Sequence, residues 1–251
     1  MLALRRLVYG LVLLLLVTGM LGACSAGTER PGGVPSAAIS PQVQLSERLA
    51  MVQTQIAARG IKDARVLDAM RTVPRHEFVP PAQISQAYAD RPLPIGEGQT
   101  ISQPYIVALM TELLDLQPGD TVLEVGTGSG YQAAVAAELT DRVYTVEILS
   151  ELEERAAETL DRLGYARVQT KNADGYFGWA EHGPYDAIIV TAAPDHIPAP
   201  LVGQLKEGGR MVIPIGPPGS YQTLWRFTKQ QGKVVSENII DVAFVPLVRE
   251  P

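Results

Sequence analysis

The chain has 251 residues, 46% of them hydrophobic and 19% charged, with a formal net charge of -6. That length suits one α/β domain with a well-buried core, and the composition excludes a fibrous or disordered chain. The acidic total offers no phosphate-neutralising surface, so nucleic acid is not an expected partner.

Arg5 and Arg6 precede an uncharged apolar run from Leu7, which ends in Leu21-Gly22-Ala23-Cys24. A basic start, an apolar run and small residues at its end read as a secretory signal. Leu-Gly-Ala-Cys also resembles a bacterial lipoprotein signal, in which the cysteine is lipidated and becomes the mature N-terminus. The resemblance implies a cell-envelope location, periplasm-facing and lipid-anchored at Cys24. An uncleaved membrane anchor and an upstream start codon wrongly assigned are the alternatives. Cys24 is the single cysteine, which excludes an internal disulfide framework and any multi-cysteine metal site. Residues 25–40 turn to Gly, Pro, Ser and Ala and read as a flexible tether. Residues 41–251 are left for the folded domain, and no internal repeat is visible in them.

Ser40-Pro41 looks like an N-cap followed by proline, with Leu45, Leu49, Val52 and Ile56 at helical spacing until Gly60. Asp63 can cap a second helix carrying Val66, Leu67, Met70 and Val73, ended by Pro74. His76, in the turn-rich link that follows, has no partner by spacing and reads as a surface or structural histidine. Arg91 to Gln99 are mostly loop formers. Ser102 then precedes Pro104 and a helix with Ile106, Leu109, Met110 and Leu113, and on spacing alone it is a helix cap. A second job for its hydroxyl requires this loop to face the glycine loop described next.

From Thr121 the chain alternates as a parallel, doubly wound sheet does. Strands are expected at 121–125, 142–147, 168–171, 185–190 and 210–215, and a terminal antiparallel part at 222–228, 233–236 and 239–245. Helices are expected at 131–139 and from a Ser150-Glu151-Leu152-Glu153 capping box to Gly164. Between the first strand and helix lies Gly126-Thr127-Gly128-Ser129-Gly130. The dinucleotide fingerprint G-x-G-x-x-G needs a small residue where Tyr131 stands, so a dehydrogenase is disfavoured. Glu124, two residues before the first glycine, would repel a pyrophosphate but meets the α-ammonium of S-adenosylmethionine. Glu147 ends the second strand 21 residues after Gly126, where a carboxylate can accept both ribose hydroxyls. Asp174-Gly175 follows the third strand, where an acid can recognise an adenine amino group.

Four stretches give the chain a more specific likeness: Val73-Pro74-Arg75-His76-Glu77-Phe78-Val79-Pro80, Gly98-Gln99-Thr100-Ile101-Ser102-Gln103-Pro104-Tyr105, Leu123 to Ala133, and Tyr185 to Ala193. Together with Phe244-Val245-Pro246-Leu247-Val248 they resemble the protein-L-isoaspartate O-methyltransferase family over about residues 45–248. The resemblance implies a class I methyltransferase fold, Rossmann-like, with an N-terminal helical part and an antiparallel C-terminal edge. It implies transfer of a methyl group from S-adenosylmethionine to the free α-carboxyl of L-isoaspartyl residues in damaged proteins and peptides. It makes Ser102 an active-site residue and puts Thr100 and Ile101 beside the cofactor, with Glu124, Gly126, Thr127, Gly128, Gly130, Glu147, Asp174 and Gly175. Gln222 resembles the family's late cofactor-side residue, in a looser local match through Pro217 to Tyr221. The leader departs from the pattern, since members of the family are usually cytoplasmic. A small-molecule methyltransferase and a membrane-anchored, non-catalytic binding protein are the competing interpretations.

Overall fold

The computed structural model describes residues 40–249 apart from Pro218. The expected leader, Cys24 and nearly all of the tether therefore lie outside the described residues.

Helix α1 (Pro41–Met51) is capped by the Ser40 side chain, which accepts from the Val43 amide. It passes into a π-helical turn, Val52–Ile56, and stops at Gly60 with φ 101°. The expected stripe is only half used, because Val52 and Ile56 are buried whereas Leu45 and Leu49 stay exposed. The π turn rotates the inner face, so burial passes to Met51, Val52 and Ile56. Helix α2 (Ala64–Thr72) starts at Asp63, whose carboxylate accepts from the Arg65 amide. His76 packs its Nδ1 2.6 Å from the Tyr88 hydroxyl, a structural contact.

The stretch expected as loop contains a hairpin, β1 (Leu93–Gly96) and β2 (Gln99–Ile101), turned through Gly96, Glu97 and Gly98 at positive φ. In β1 the two buried apolar residues, Leu93 and Ile95, alternate with Pro94, and β2 adds only Ile101, a pattern too short to stand out in the sequence. Helix α3 (Pro104–Leu114) follows.

The main sheet has seven strands: β3 (Thr121–Val125), β4 (Arg142–Glu147), β5 (Gln169–Asn172), β6 (Tyr185–Val190), β7 (Leu205–Ile215), β8 (Gln222–Gln230) and β9 (Lys233–Val242). Their order is β5-β4-β3-β6-β7-β8-β9, parallel through β7 and antiparallel at β8 and β9. The terminal part is thus one hairpin, with β9 a single strand where two were expected. Helices α4 (Tyr131–Ala137), α5 (Ser150–Arg162) and α6 (Ala199–Gln204) complete the layers. Every residue of β3 is buried, as both faces of a parallel sheet require. Val122 packs into the cluster with the helices α1 to α4, and its neighbour Leu123 into the cluster with Leu201 of α6.

The capping box at Ser150 does not form: the Leu149 N-cap position has no side-chain bond, and the Glu153 carboxylate instead accepts from the Thr170 hydroxyl. A strand neighbour has outcompeted the local bond. The order of strands reverses at β3, which connects onward to β4 on one side while β6 pairs on the other. Open α/β sheets bind ligands at such a point, outside the carboxyl ends of the strands.

Candidate active site

Beyond the carboxyl end of β3, the chain turns at Gly126 with φ 98°. A Cβ there would lie 2.5 Å from the Thr191 hydroxyl, which bonds the carbonyls of Val125 and Gly126 at 3.0 and 2.6 Å. Only glycine satisfies both the dihedral and the close approach of the β6 end. The loop faces a cleft enclosing about 750 Å³ of empty space, solvent at its mouth included. Thr100, Ile101, Ser102, Glu124, Gly126, Thr127, Gly128, Glu147 and Gly175 line that cleft, as does Thr191. Nine of the predicted site residues, from four separate segments, therefore meet at one place.

The three acids have different circumstances. Glu124 is 1% exposed, and its Oε2 accepts from the Thr145 hydroxyl at 2.7 Å. Its Oε1 is buried without a partner. Burial pushes this carboxyl up to about 8, against the opposing Thr145 hydrogen bond and with help from the nearby Glu147 charge. Glu147 uses Oε2 to accept from the Gly128 amide at 2.8 Å, and Oε1 to accept from the Ile148 and Leu149 amides at 3.0 and 3.1 Å. Three of its roughly four acceptor positions are filled by backbone, so it has room for one hydroxyl where two were expected. Asp174 does not line the cleft; it accepts from the Tyr176 amide at 3.0 Å and from Arg249 Nε at 2.7 Å.

Two other predicted residues stand back from the cleft. Gly130 forms the turn into α4, where a Cβ would press on Leu160 at 3.2 Å, so its smallness serves helix packing. Gln222 is buried and joins β8 to the C-terminal segment, accepting from the Phe244 amide at 2.8 Å and donating to the Ser220 carbonyl at 2.9 Å.

Ser102 is not the cap of α3, whose N-cap is Gln103 and carries no side-chain cap bond. It lines the cleft and also an adjoining hollow walled by Tyr105, Phe244 and Arg59, the two spaces sharing Thr100, Ser102, Thr191 and Val245. Site roles for Thr191 and for Val245 to Val248, which also line the cleft, escaped sequence reasoning. The hints were that Thr191 directly follows a strand beside the glycine loop's own strand, and that both stretches belong to the motifs that carry the family likeness.

The site suits S-adenosylmethionine on its own terms. A cradle closed to side chains at Gly126 faces a buried acid with one oxygen unused, and a cationic amine is the chemistry that oxygen lacks. Among the described residues no cluster of metal-ligating side chains occurs.

Comparison with known proteins agrees with this geometry. The family model described as protein-L-isoaspartate(D-aspartate) O-methyltransferase matches residues 46–251. The chain is 56% identical over 203 residues to protein-L-isoaspartate O-methyltransferase 2 of Shewanella sediminis, covering 81% of this chain and 83% of the relative. It is 52% identical over 238 residues to the enzyme of the same name in Syntrophobacter fumaroxidans, covering 94% and 95%. Among solved structures, a protein-L-isoaspartate O-methyltransferase matches with TM-score 0.73 at 32% identity over 80% of this chain and 65% of that one. A Plasmodium falciparum β-aspartate methyltransferase in complex with S-adenosyl-L-homocysteine matches with TM-score 0.70 at 27% identity, over 81% of this chain and 99% of that one. The chain therefore belongs to the protein-L-isoaspartate O-methyltransferase family and is a class I methyltransferase that uses S-adenosylmethionine to methylate the free α-carboxyl of isoaspartyl residues.

Proposed function

We propose that the cleft holds the cofactor, that the adjoining hollow takes the isoaspartyl residue, and that Ser102 stands where the two meet. The observation that carries this is the position of Ser102, which lines both spaces and is spared from capping α3. When bound, S-adenosylmethionine supplies an electrophilic methyl group on a sulfonium. An isoaspartyl α-carboxylate is already ionised at neutral pH, so the chain needs no general base. What remains for it is alignment and exclusion of water. Ser102 donates a hydrogen bond that orients the carboxylate. Glu124 Oε1 receives the cofactor's α-ammonium, and Glu147 receives one ribose hydroxyl while its other bonds hold the loop. Thr100, Ile101, Thr127, Gly128 and Gly175 complete the walls, and Asp174 acts on the adenine end from behind the wall, through the neighbouring Gly175. Gln222 acts at one remove, by fixing the segment that carries Val245 to Val248.

The test is a pair of peptides differing only in an isoaspartyl or an ordinary aspartyl residue, with labelled cofactor. Methyl transfer to the isoaspartyl peptide alone is expected. Equal transfer to both would overturn the isoaspartyl selectivity, and transfer to neither with a small acid accepted instead would move the assignment to a small-molecule methyltransferase.

We also propose that residues 1–24 are a lipoprotein signal and that the mature chain is tethered to the cell envelope through Cys24 and residues 25–40. Supporting this, the basic start, apolar run and Leu-Gly-Ala-Cys stand in the right order. The alignment with the Syntrophobacter fumaroxidans relative, at 94% of this chain, necessarily extends into the segment before Ser40. Among the described residues no helix is long and apolar enough to cross a membrane, so attachment rests on that segment. Fractionation with labelled lipid precursor should place label on Cys24 in the membrane fraction. An unprocessed chain outside that fraction would overturn the assignment.

A further inference from the structure

The strap that closes one side of the cleft is tied at its far end by a side chain to which neither the sequence motifs nor the activity assigns a role. Val245 to Val248 line the cleft. Their backbone is held at the near end by β6's continuation, with the Ala193 amide donating to the Val245 carbonyl at 2.8 Å and the Leu247 amide donating to the Ala193 carbonyl at 2.9 Å. Gln222 holds Phe244 just before them. At the far end Arg249 donates through Nε to Asp174 at 2.7 Å and lays its guanidinium over the ring of Tyr176, 3.7 Å from the centroid, with Phe177 at 5.0 Å. Asp174 is 6% exposed at its side chain, so this is a half-buried pair and not a solvated one. A stacked, charge-assisted bond to a buried carboxylate is worth more than a surface ion pair.

Asp174 immediately precedes Gly175, which lines the cleft, so the bond ties the end of the strap to the turn that carries another lining residue. We infer that Arg249 is a latch: it pins the strap across the cleft and fixes the Asp174 carboxylate at the adenine end, so that the cofactor exchanges only when the Arg249–Asp174 bond opens. The inference rests on the cofactor occupying this cleft. Chemically, the arrangement retards both entry and exit of S-adenosylmethionine and its demethylated product without touching the reacting atoms. Arg249 is accordingly a positioning residue.

The experiment follows release of radiolabelled S-adenosyl-L-homocysteine from the full-length protein after a chase with unlabelled ligand. Arg249→Met should release the product about tenfold faster or more, the loss expected for a hydrogen bond to a charged group. Release from the unaltered protein should quicken between about 50 and 500 mM salt, and release from Arg249→Met should not. Arg249→Lys, which keeps the charge but loses the flat stack, should fall between the two. A general loosening of the fold would not give this salt dependence or partial rescue. Equal release rates, or a salt-independent rate in the unaltered protein, overturn the latch. Slower release from Arg249→Met also overturns it, by showing that the arginine competes with the ligand for Asp174. If the unaltered protein retains no S-adenosyl-L-homocysteine at all, the assignment of the cleft itself fails, and the latch with it.

Discussion

In the proposed arrangement Ser102 meets the substrate, and α3 asks nothing of its hydroxyl because the N-cap is Gln103, with no side-chain bond. Ser102→Ala should therefore lower the methylation rate constant roughly 10-fold or more while changing S-adenosyl-L-homocysteine affinity less than about twofold, as loss of a bond to a charged group at the substrate alone would do. Its cost to folding should stay within about 0.5 kcal/mol, since no cap is lost. Equal losses of rate constant and affinity, from single-turnover kinetics and calorimetry, would remove Ser102 from the substrate side. Glu124 gives a second prediction at this scale. Its carboxyl, raised to about 8 by burial, is mostly protonated at pH 7, and an ammonium against its unpartnered Oε1 favours the charged form. Binding of S-adenosyl-L-homocysteine at pH 7 should release close to one proton, read as a dependence of binding enthalpy on the ionisation enthalpy of the buffer. Glu124→Gln should abolish that release and weaken binding. A buffer-independent enthalpy in the unaltered protein would separate Glu124 from the ligand's amine.

The cleft's wall is set by elements that arrive from far apart in the chain and leave no room for adjustment. Gly175, in the turn after β5, would place a Cβ 2.5 Å from Val125 Cγ1 at the end of β3, with no positive φ to add strain. Gly175→Ala should destabilise by about 1–3 kcal/mol through overpacking alone. Removing the obstructing methyl with Val125→Ala should relieve this, so that the double variant unfolds in denaturant at least about 1 kcal/mol better than the two single costs predict. Strict additivity would show that the turn moves away instead. The elements themselves were unevenly legible. Strands β3, β4 and β6 were readable to the residue because buried apolar runs meet clear turn signals at both ends. The hairpin of β1 and β2 was not, because its pairing supplies order that no apolar run announces. Ser150 and Glu153 have the spacing of a capping box, yet Thr170 on β5 takes the glutamate. Local patterns name candidates for a bond, and neighbours brought in by the sheet decide among them.

For the molecule as a whole, Glu124 couples the cleft to global stability. The folded chain holds this proton up to about pH 8 and the unfolded chain loses it near the ordinary value of 4.5, so the folded state binds more protons between those limits. Stability of the ligand-free protein should accordingly fall as pH rises from about 4.5 to 8 and level off above, with a slope of at most about 1.4 kcal/mol per pH unit from this group. Glu124→Gln should flatten that part of the profile in chemical denaturation at successive pH values. An unchanged slope would mean that other groups set it.

The sequence by itself determined the sheet's parallel core, the glycine loop at the end of β3, and the family, since these reside in short runs whose spacing and side-chain types are local properties. It also named nine of the residues that line the cleft. Which acid keeps a buried oxygen without a partner was decided only by the tertiary structure. Glu147 spends three bonds on amides of the loop and of its own turn, and Asp174 spends one on Arg249, 75 residues away in the chain. Glu124 alone of the three keeps a buried oxygen unpartnered. The hydrogen bonds left open to a ligand depend on every donor the fold brings within reach, and no sequence spacing lists those donors.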